Sequence, residues 1–472
     1  MNRVRAGIQS RITAIPRRGR IRAVLILLAA FATAYSLLSK DSGPRPAKPD
    51  NGAERTIKTK ANKKQKKTRS AALSLTRKEA LTHENLALLL QEHPPRLSFS
   101  VDTIRTDAVE CAVHYSLDMS LQQSVRKLME RYHPKYGAVA AIHPVSGRVI
   151  CLLEYKNPDE PPLAERLYCR SILPAASIMK VVTAAASIEK SGLTASSILH
   201  TTGNNHTLYR FQLAPELKGW NDISLEKAFA YSVNPVFARL GIYTLGAQSF
   251  KEYLDKFGFN SPVPFDLPVE SARAQVTDSA FSLAELGSGF NRQTRISPMY
   301  GAILAAAVVN KGTMPVPTLV DSVIDIRTGI RKYEAEPRIW RTPIRPSTAS
   351  NMKTLMKAVT QYGTARKSFV YVKRSVQFDE IDYGGKTGNI ELDGTGRIDW
   401  FIGFASDPSN PDLAIALSVV TVHGPYWTVH SSYAGAEMIR EFIRSGQKSR
   451  DAVPLSARNE LGHDSHPATR LQ

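Results

Sequence analysis

Cysteine is scarce: three occur in 472 residues (Cys111, Cys151, Cys169), with no C-x-x-C spacing. That excludes a disulfide-built scaffold and offers neither a cysteine zinc site nor a dithiol redox pair. Acidic residues are absent from the first 39 positions, which hold seven arginines for a charge of +7. Residues 40–69 set eleven Lys and Arg against three acids, for +8. The formal charge of +20 is therefore concentrated in an N-terminal appendage, and only +5 falls on the other 403 residues. That distribution argues against a basic nucleic-acid-binding domain. Phosphate loops are missing as well. Gly385-Lys386-Thr387 has Glu380 where G-x-x-x-x-G-K-T needs glycine, and Gly287-Ser288-Gly289 has Arg292 where a dinucleotide fingerprint needs glycine. No internal repeat is found. What is present is ample core material, 43% hydrophobic with 22% charged residues, enough for one large or two ordinary domains.

Between Arg22 and Lys40 lie seventeen uncharged residues, Ala23 to Ser39. At ~1.5 Å of helical rise per residue, this run approaches the ~30 Å hydrocarbon thickness of a bilayer. Seven preceding arginines hold the first 22 residues on the cytoplasmic side, so the chain beyond Lys40 faces outward. A retained single-pass anchor and a signal peptide cleaved after Ala32-Thr33-Ala34 both fit, and both export the bulk of the chain. Residues 40–72 are rich in Lys, Pro, Gly and Asn and nearly devoid of apolar side chains, which predicts a flexible basic linker. Residues 446–472 predict a polar tail.

Apolar spacing predicts helices over 77–92 and 121–132, and a hairpin with strands 137–142 and 149–153. A mostly helical stretch follows from Ser177 to about Gly301, with stops at Gly192, Pro235 and Gly258. Strands at 383–391, 400–405 and 413–422 and a last helix over 433–444 complete the pattern. Strands, a block of helices, then strands imply one antiparallel sheet built from both chain ends.

S-x-x-K puts a hydroxyl and an amine one helical turn apart on one face. Six matches occur, at Ser124, Ser177, Ser187, Ser224, Ser350 and Ser445. Only Ser177-Ile178-Met179-Lys180 lies in apolar sequence on both sides, where desolvation lowers a lysine pKa toward that of a general base. Pro174 upstream suits a serine in the first turn, near free N–H groups able to hold an oxyanion. Ser232-Val233-Asn234 follows 55 residues after Ser177, and Lys386-Thr387-Gly388 follows 209 residues after it.

In this order and spacing, Ser177-x-x-Lys180, Ser232-x-Asn234 and Lys386-Thr387-Gly388 resemble the penicillin-binding transpeptidases, serine enzymes that cross-link peptidoglycan and are acylated by β-lactams. Gly363-Thr364-Ala365-Arg366 and Trp400-Phe401-Ile402-Gly403-Phe404 fit the same pattern. The resemblance covers about residues 112–445 and leaves 73–111 as a short N-terminal extension, too small for a glycosyltransferase. It implies an α+β fold of the β-lactamase/D,D-transpeptidase type: a five-stranded antiparallel sheet flanked by helices, with an inserted all-α subdomain. It implies Ser177 as nucleophile, Lys180 as general base, Ser232 as proton relay and Asn234 as the residue orienting Lys180. Lys386 supplies positive charge, Thr387 and Gly388 bind substrate along the strand, and the backbone N–H groups of Ser177 and Asn389 form the oxyanion hole. Asn389 stands where many relatives have threonine. No cofactor and no metal are implied. The expected partners are stem peptides ending in D-Ala-D-Ala, β-lactams and the membrane through the N-terminal helix; cell-wall synthesis proteins and a docking role for 73–111 stay open, and nucleic acid is not among the partners. D,D-carboxypeptidase, β-lactamase and a non-catalytic β-lactam or cell-wall binding protein stay open as alternatives. So does a Cys151–Cys169 disulfide.

Overall fold

The computed structural model describes residues 81–105, 109–373 and 380–452. The expected anchor over 23–39, the basic linker over 40–72 and the part of the tail beyond Ala452 lie outside the described residues. Among the described residues, no helix is long and apolar enough to cross a membrane.

Helix α1 (His83–Glu92) starts at an N-cap, Thr82, whose side chain accepts from the Asn85 N–H, so the described helix begins later than the apolar spacing suggested. Strands β1 (Val101–Arg105) and β2 (Glu110–Tyr115) follow. Helix α2 (Met119–Tyr132) is capped by Asp118 and buries Leu121, Val125 and Met129, one residue per turn on one face. The predicted hairpin is present as β3 (Tyr136–Ile142) and β4 (Val149–Lys156).

A single turn at Ala176–Ile178 leads into α3 (Met179–Ser191), buried from Met179 through Ile188 and closed by Gly192 in the left-handed conformation. The insertion is not all helical. β5 (Ile198–Thr201) and β6 (Asn221–Ser224) form an antiparallel ribbon before α4 (Leu225–Ala230) and α5 (Asn234–Arg239). Pro235 opens α5 rather than stopping a helix, because the first turn has no use for the N–H that proline lacks. Then come α6 (Gly246–Lys256), α7 (Ala280–Ser288) and α8 (Pro298–Val309). Gly258, at φ 78°, ends the segment begun by α6.

Strands β7 (Val320–Asp325) and β8 (Arg331–Glu334) pair with the N-terminal strands in the order β1-β2-β7-β8. The boundary at 112 thus falls inside β2, which is hydrogen-bonded to residues 320–325. Helices α9 (Pro346–Gln361) and α10 (Arg366–Lys373) precede β9 (Asp382–Leu392), β10 (Gly396–Asp407) and β11 (Asn410–His423). The last helix, α11 (Ser431–Ala452), runs past Gly446 into the segment expected to be tail.

The main sheet has five antiparallel strands, β9-β10-β11-β3-β4. It joins both chain ends, as the sequence pattern implied. Its central strands are almost wholly buried, and α8, apolar all round and buried over nearly its whole length, packs against it. Gly301 permits the close approach: a Cβ there would lie 2.5 Å from Ser418 Oγ. Strand β9 is an edge strand, and that edge borders the site. The three cysteines are buried and free, so no disulfide links Cys151 to Cys169.

Candidate active site

Ser177 and Lys180 sit where the short turn passes into α3. Lys180 is fully buried, and its Nζ lies 2.7 Å from Ser177 Oγ, 2.7 Å from Asn234 Oδ1 and 2.6 Å from Ser288 O. The Asn234 amide is oriented by its own N–H, which donates to His206 O at 3.2 Å and so turns Oδ1 toward the lysine. Burial pushes the Lys180 pKa well down, and the Lys386 ammonium pushes it further. A neutral amine has two N–H groups and one lone pair. Asn234 Oδ1 and Ser288 O can only accept, so they take the two N–H groups, and the lone pair is left for the Ser177 O–H.

Ser232 and Asn234 owe their positions to the break between α4 and α5. Ser232 adopts the left-handed conformation (φ 56°), while its N–H and that of Val233 close back on Phe229 O and Ala228 O. The chain therefore reverses within two residues and aims both side chains at the cleft. Lys386, on β9, is fully buried and donates to Ser232 Oγ at 3.0 Å and to Thr387 O at 2.7 Å. Burial lowers it to about 7, so it is a titratable cation rather than a permanent one. Each lysine also faces a phenyl ring, Lys180 that of Phe237 and Lys386 that of Phe229. Two buried ammonium groups in one apolar shell repel each other, and the lower pKa of Lys180 leaves the charge on Lys386.

Thr387 Oγ1 is 2.6 Å from Thr364 Oγ1 at the start of the segment leading into α10. Gly388 lets the strand edge pass close to Ser177: a Cβ there would be 3.2 Å from Ser177 N. Asn389 follows on β9, exposed, opposite Asp399 on β10. On the opposite side, Gly289 (φ 71°) lies against the peptide of Ala176, which is itself held at φ 49°. Trp400 Nε1 donates to Pro174 O at 2.8 Å and pins the approach to Ser177.

All these elements line one cleft of about 510 Å³, whose walls include Ser177, Ser232, Asn234, Thr387, Gly388 and Asn389. Lys180 and Lys386 lie just beneath it. The structure thus brings together every residue that the three motifs singled out. It adds others that sequence reasoning missed. Ser288 and His206 contribute backbone carbonyls, which any residue type supplies, so no side-chain signal could have exposed them. His206, Phe290, Lys367, Trp427 and His430 also line the cleft. Among the described residues, no group of His, Cys, Asp and Glu is arranged to hold a metal ion.

A serine hydroxyl hydrogen-bonded to a buried amine, beside a second lysine on a sheet edge, makes a serine–lysine site able to form a covalent acyl intermediate. Family comparison places it further. The penicillin binding protein transpeptidase domain matches residues 137–443, and the chain belongs to that family. A peptidoglycan D,D-transpeptidase PbpA from Mycolicibacterium smegmatis is 26% identical over 319 residues, 61% of this chain and 62% of that protein. Penicillin-binding protein 3 of Bacillus subtilis is 25% identical over 345 residues, 66% of this chain and 48% of that one. The chain thus spans less than two thirds of the length of these relatives. Among solved structures, PBPA from Mycobacterium tuberculosis superposes with a TM-score of 0.55 at 23% identity, covering 71% of this chain and 80% of that one. Its penicillin G acyl-enzyme complex gives 0.54 at the same identity and coverage. These structures share the fold.

Proposed function

We propose that this protein is a membrane-anchored D,D-transpeptidase that cross-links peptidoglycan stem peptides through an acyl-enzyme on Ser177 and is inhibited by β-lactams. Its anchor is the N-terminal apolar run, and its catalytic domain faces the periplasmic or extracellular side. One observation carries the reading: Lys180 is placed so that its neutral form directs a lone pair at Ser177.

Acylation begins as Ser177 Oγ attacks the carbonyl carbon of the penultimate D-Ala while its proton passes to Lys180. The N–H groups of Ser177 and Asn389 receive the oxyanion. As the C–N bond breaks, the leaving amine of the terminal D-Ala takes a proton from Ser232, which Lys386 refills through the 3.0 Å contact. Positive charge therefore moves from Lys386 to Lys180, and the buried pair holds a single cation before and after. Thr387 and Thr364 offer hydroxyls to the terminal carboxylate of the substrate. In the second half-reaction an acceptor amine attacks the ester, its proton returns through Ser232 to Lys386, and Lys180 gives its proton back to Ser177.

The test is product analysis by mass spectrometry with a donor peptide ending in D-Ala-D-Ala, with and without an acceptor amine. Transpeptidation predicts a cross-linked product that grows with acceptor concentration. Hydrolysis indifferent to acceptor would contradict the cross-linking claim and leave a carboxypeptidase.

A further inference from the structure

The cleft does not end at Thr387. Beyond it, a second cavity of about 320 Å³ is lined by Tyr132, Trp427, Thr428, Val429 and Tyr433 together with Lys367, Ser368 and His430. Lys367, Ser368, Trp427 and His430 wall both spaces, so the two lie side by side. The chemistry of the shared wall is cationic. Lys367 is exposed at the start of α10 and has no salt-bridge partner among the described residues. His430 directs Nδ1 toward Asp399 Oδ2 at 3.6 Å, which leaves Nε2 on the far side of the ring. Asp399 is the acid in this wall, and its charge is already engaged: it accepts the Ser431 N–H at 2.8 Å and faces His430. Contact with Asp399 also raises the His430 pKa. Ser368 Oγ and Ser432 Oγ, 2.8 Å apart, share one hydrogen bond, which leaves one of the two hydroxyl protons to donate.

This arrangement acquires a purpose on the transpeptidase reading, on which it rests. An acceptor amine must attack from the place that the leaving amine vacated, so the acceptor lies on the Thr387 side of Ser177. A small acceptor is satisfied by Thr364 and Thr387. A peptide acceptor has more chain to place, and its nearest path is along the wall shared by the two cavities. We infer that Lys367 and His430 form a subsite for a carboxylate of the acceptor peptide, selecting acceptor strands that carry a free acid there.

The experiment uses the full-length protein in detergent with one donor peptide and three acceptors: a D-amino acid, a stem peptide with free carboxylates, and the same stem peptide fully amidated. The wild type should use the acidic peptide roughly fivefold better than the amidated one, in line with an exposed ion pair backed by hydrogen bonds. Lys367→Met and His430→Leu should each erode that preference, and Lys367→Glu should invert it. In each variant the ratio of acidic to amidated peptide use should fall by more than the use of the D-amino acid or the rate of penicillin acylation does. Raising salt should shrink the preference. Equal use of the two peptides by the wild type, or an unchanged ratio in Lys367→Glu, would overturn the subsite. Failure of the wild type to be acylated by penicillin would instead overturn the transpeptidase reading beneath it.

Discussion

Gly289 offers the sharpest perturbation of the site that leaves every catalytic side chain in place. A Cβ at this position would lie 1.9 Å from Ala176 O, where real contacts essentially never fall below 3.0 Å, so about 1.1 Å of separation must be found. Both sides of the gap are part of the machinery: Ser288 O holds Lys180 at 2.6 Å, and Ala176 immediately precedes Ser177. Gly289→Ala must therefore spread Ser288 from Ala176, and Lys180, which bridges Ser288 O and Ser177 Oγ, is drawn away from one or the other. A displacement of about 1 Å in a reacting pair costs roughly 100-fold in rate. The left-handed backbone adds about 1–2 kcal/mol of strain for any residue with a Cβ. Gly219→Ala is the matched control, since Gly219 also has positive φ (60°) but has nothing within 4 Å of the added carbon. The assay is the second-order rate of labelling by fluorescent penicillin, with thermal melting alongside. Gly219→Ala should lose only stability, while Gly289→Ala should lose about two orders of magnitude in labelling. Labelling of Gly289→Ala within threefold of Gly219→Ala would refute the claim that this peptide contact sets the position of the nucleophile.

Three further outcomes follow from the geometry. Penicillin acylation should show a falling limb centred near pH 7, because Lys386, lowered to about 7, loses its charge there, and a rising limb at lower pH as Lys180 becomes neutral. A rate still climbing from pH 7 to 10 would contradict this assignment. Asn234→Ala should cut acylation roughly 100-fold and cost about 1–3 kcal/mol, because a buried Lys180 N–H and the His206 carbonyl lose their partner together; the labelling rate and chemical unfolding report both. Asp382, held below the usual carboxylate range by Lys353 and Lys357, each 2.6 Å away, contributes stability that is present above pH 3.8 and lost as pH falls through its lowered pKa. Asp382→Asn should therefore melt lower than wild type at pH 7, by roughly 1 kcal/mol or less for partly exposed pairs, and the gap should close in acid.

Much of the site was legible because its chemistry leaves a local trace. Lys180 sits among Ile178, Met179, Val181 and Val182, and that apolar setting alone separated Ser177 from five other serine–lysine spacings. The glycines of Tyr383-Gly384-Gly385-Lys386-Thr387-Gly388 likewise mark a strand with room for another chain to approach closely. Less legible was whatever depends on chain meeting chain. The β5–β6 ribbon is built from short, largely exposed strands with no clean alternation, and the sequence pattern there read as helix. Pro235 carries the same local signal whether it ends a helix or begins one. The pairing of Cys111 with Asp325 across β2 and β7 spans most of the domain, so no window of sequence contains it. Ser288 entered the sequence reading only within a failed nucleotide fingerprint, yet its carbonyl is one of the two acceptors that fix Lys180.

The central claim is that Ser177 becomes covalently acylated because neutral Lys180 takes its proton. Intact-protein and peptide mass spectrometry after exposure to penicillin G tests it most directly. The wild type should gain the mass of one intact penicillin, carried by the peptide containing Ser177, while Ser177→Ala gains none and Lys180→Met labels at least 100-fold more slowly. An adduct on another residue, or a Ser177→Ala protein that labels as fast as the wild type, would contradict it.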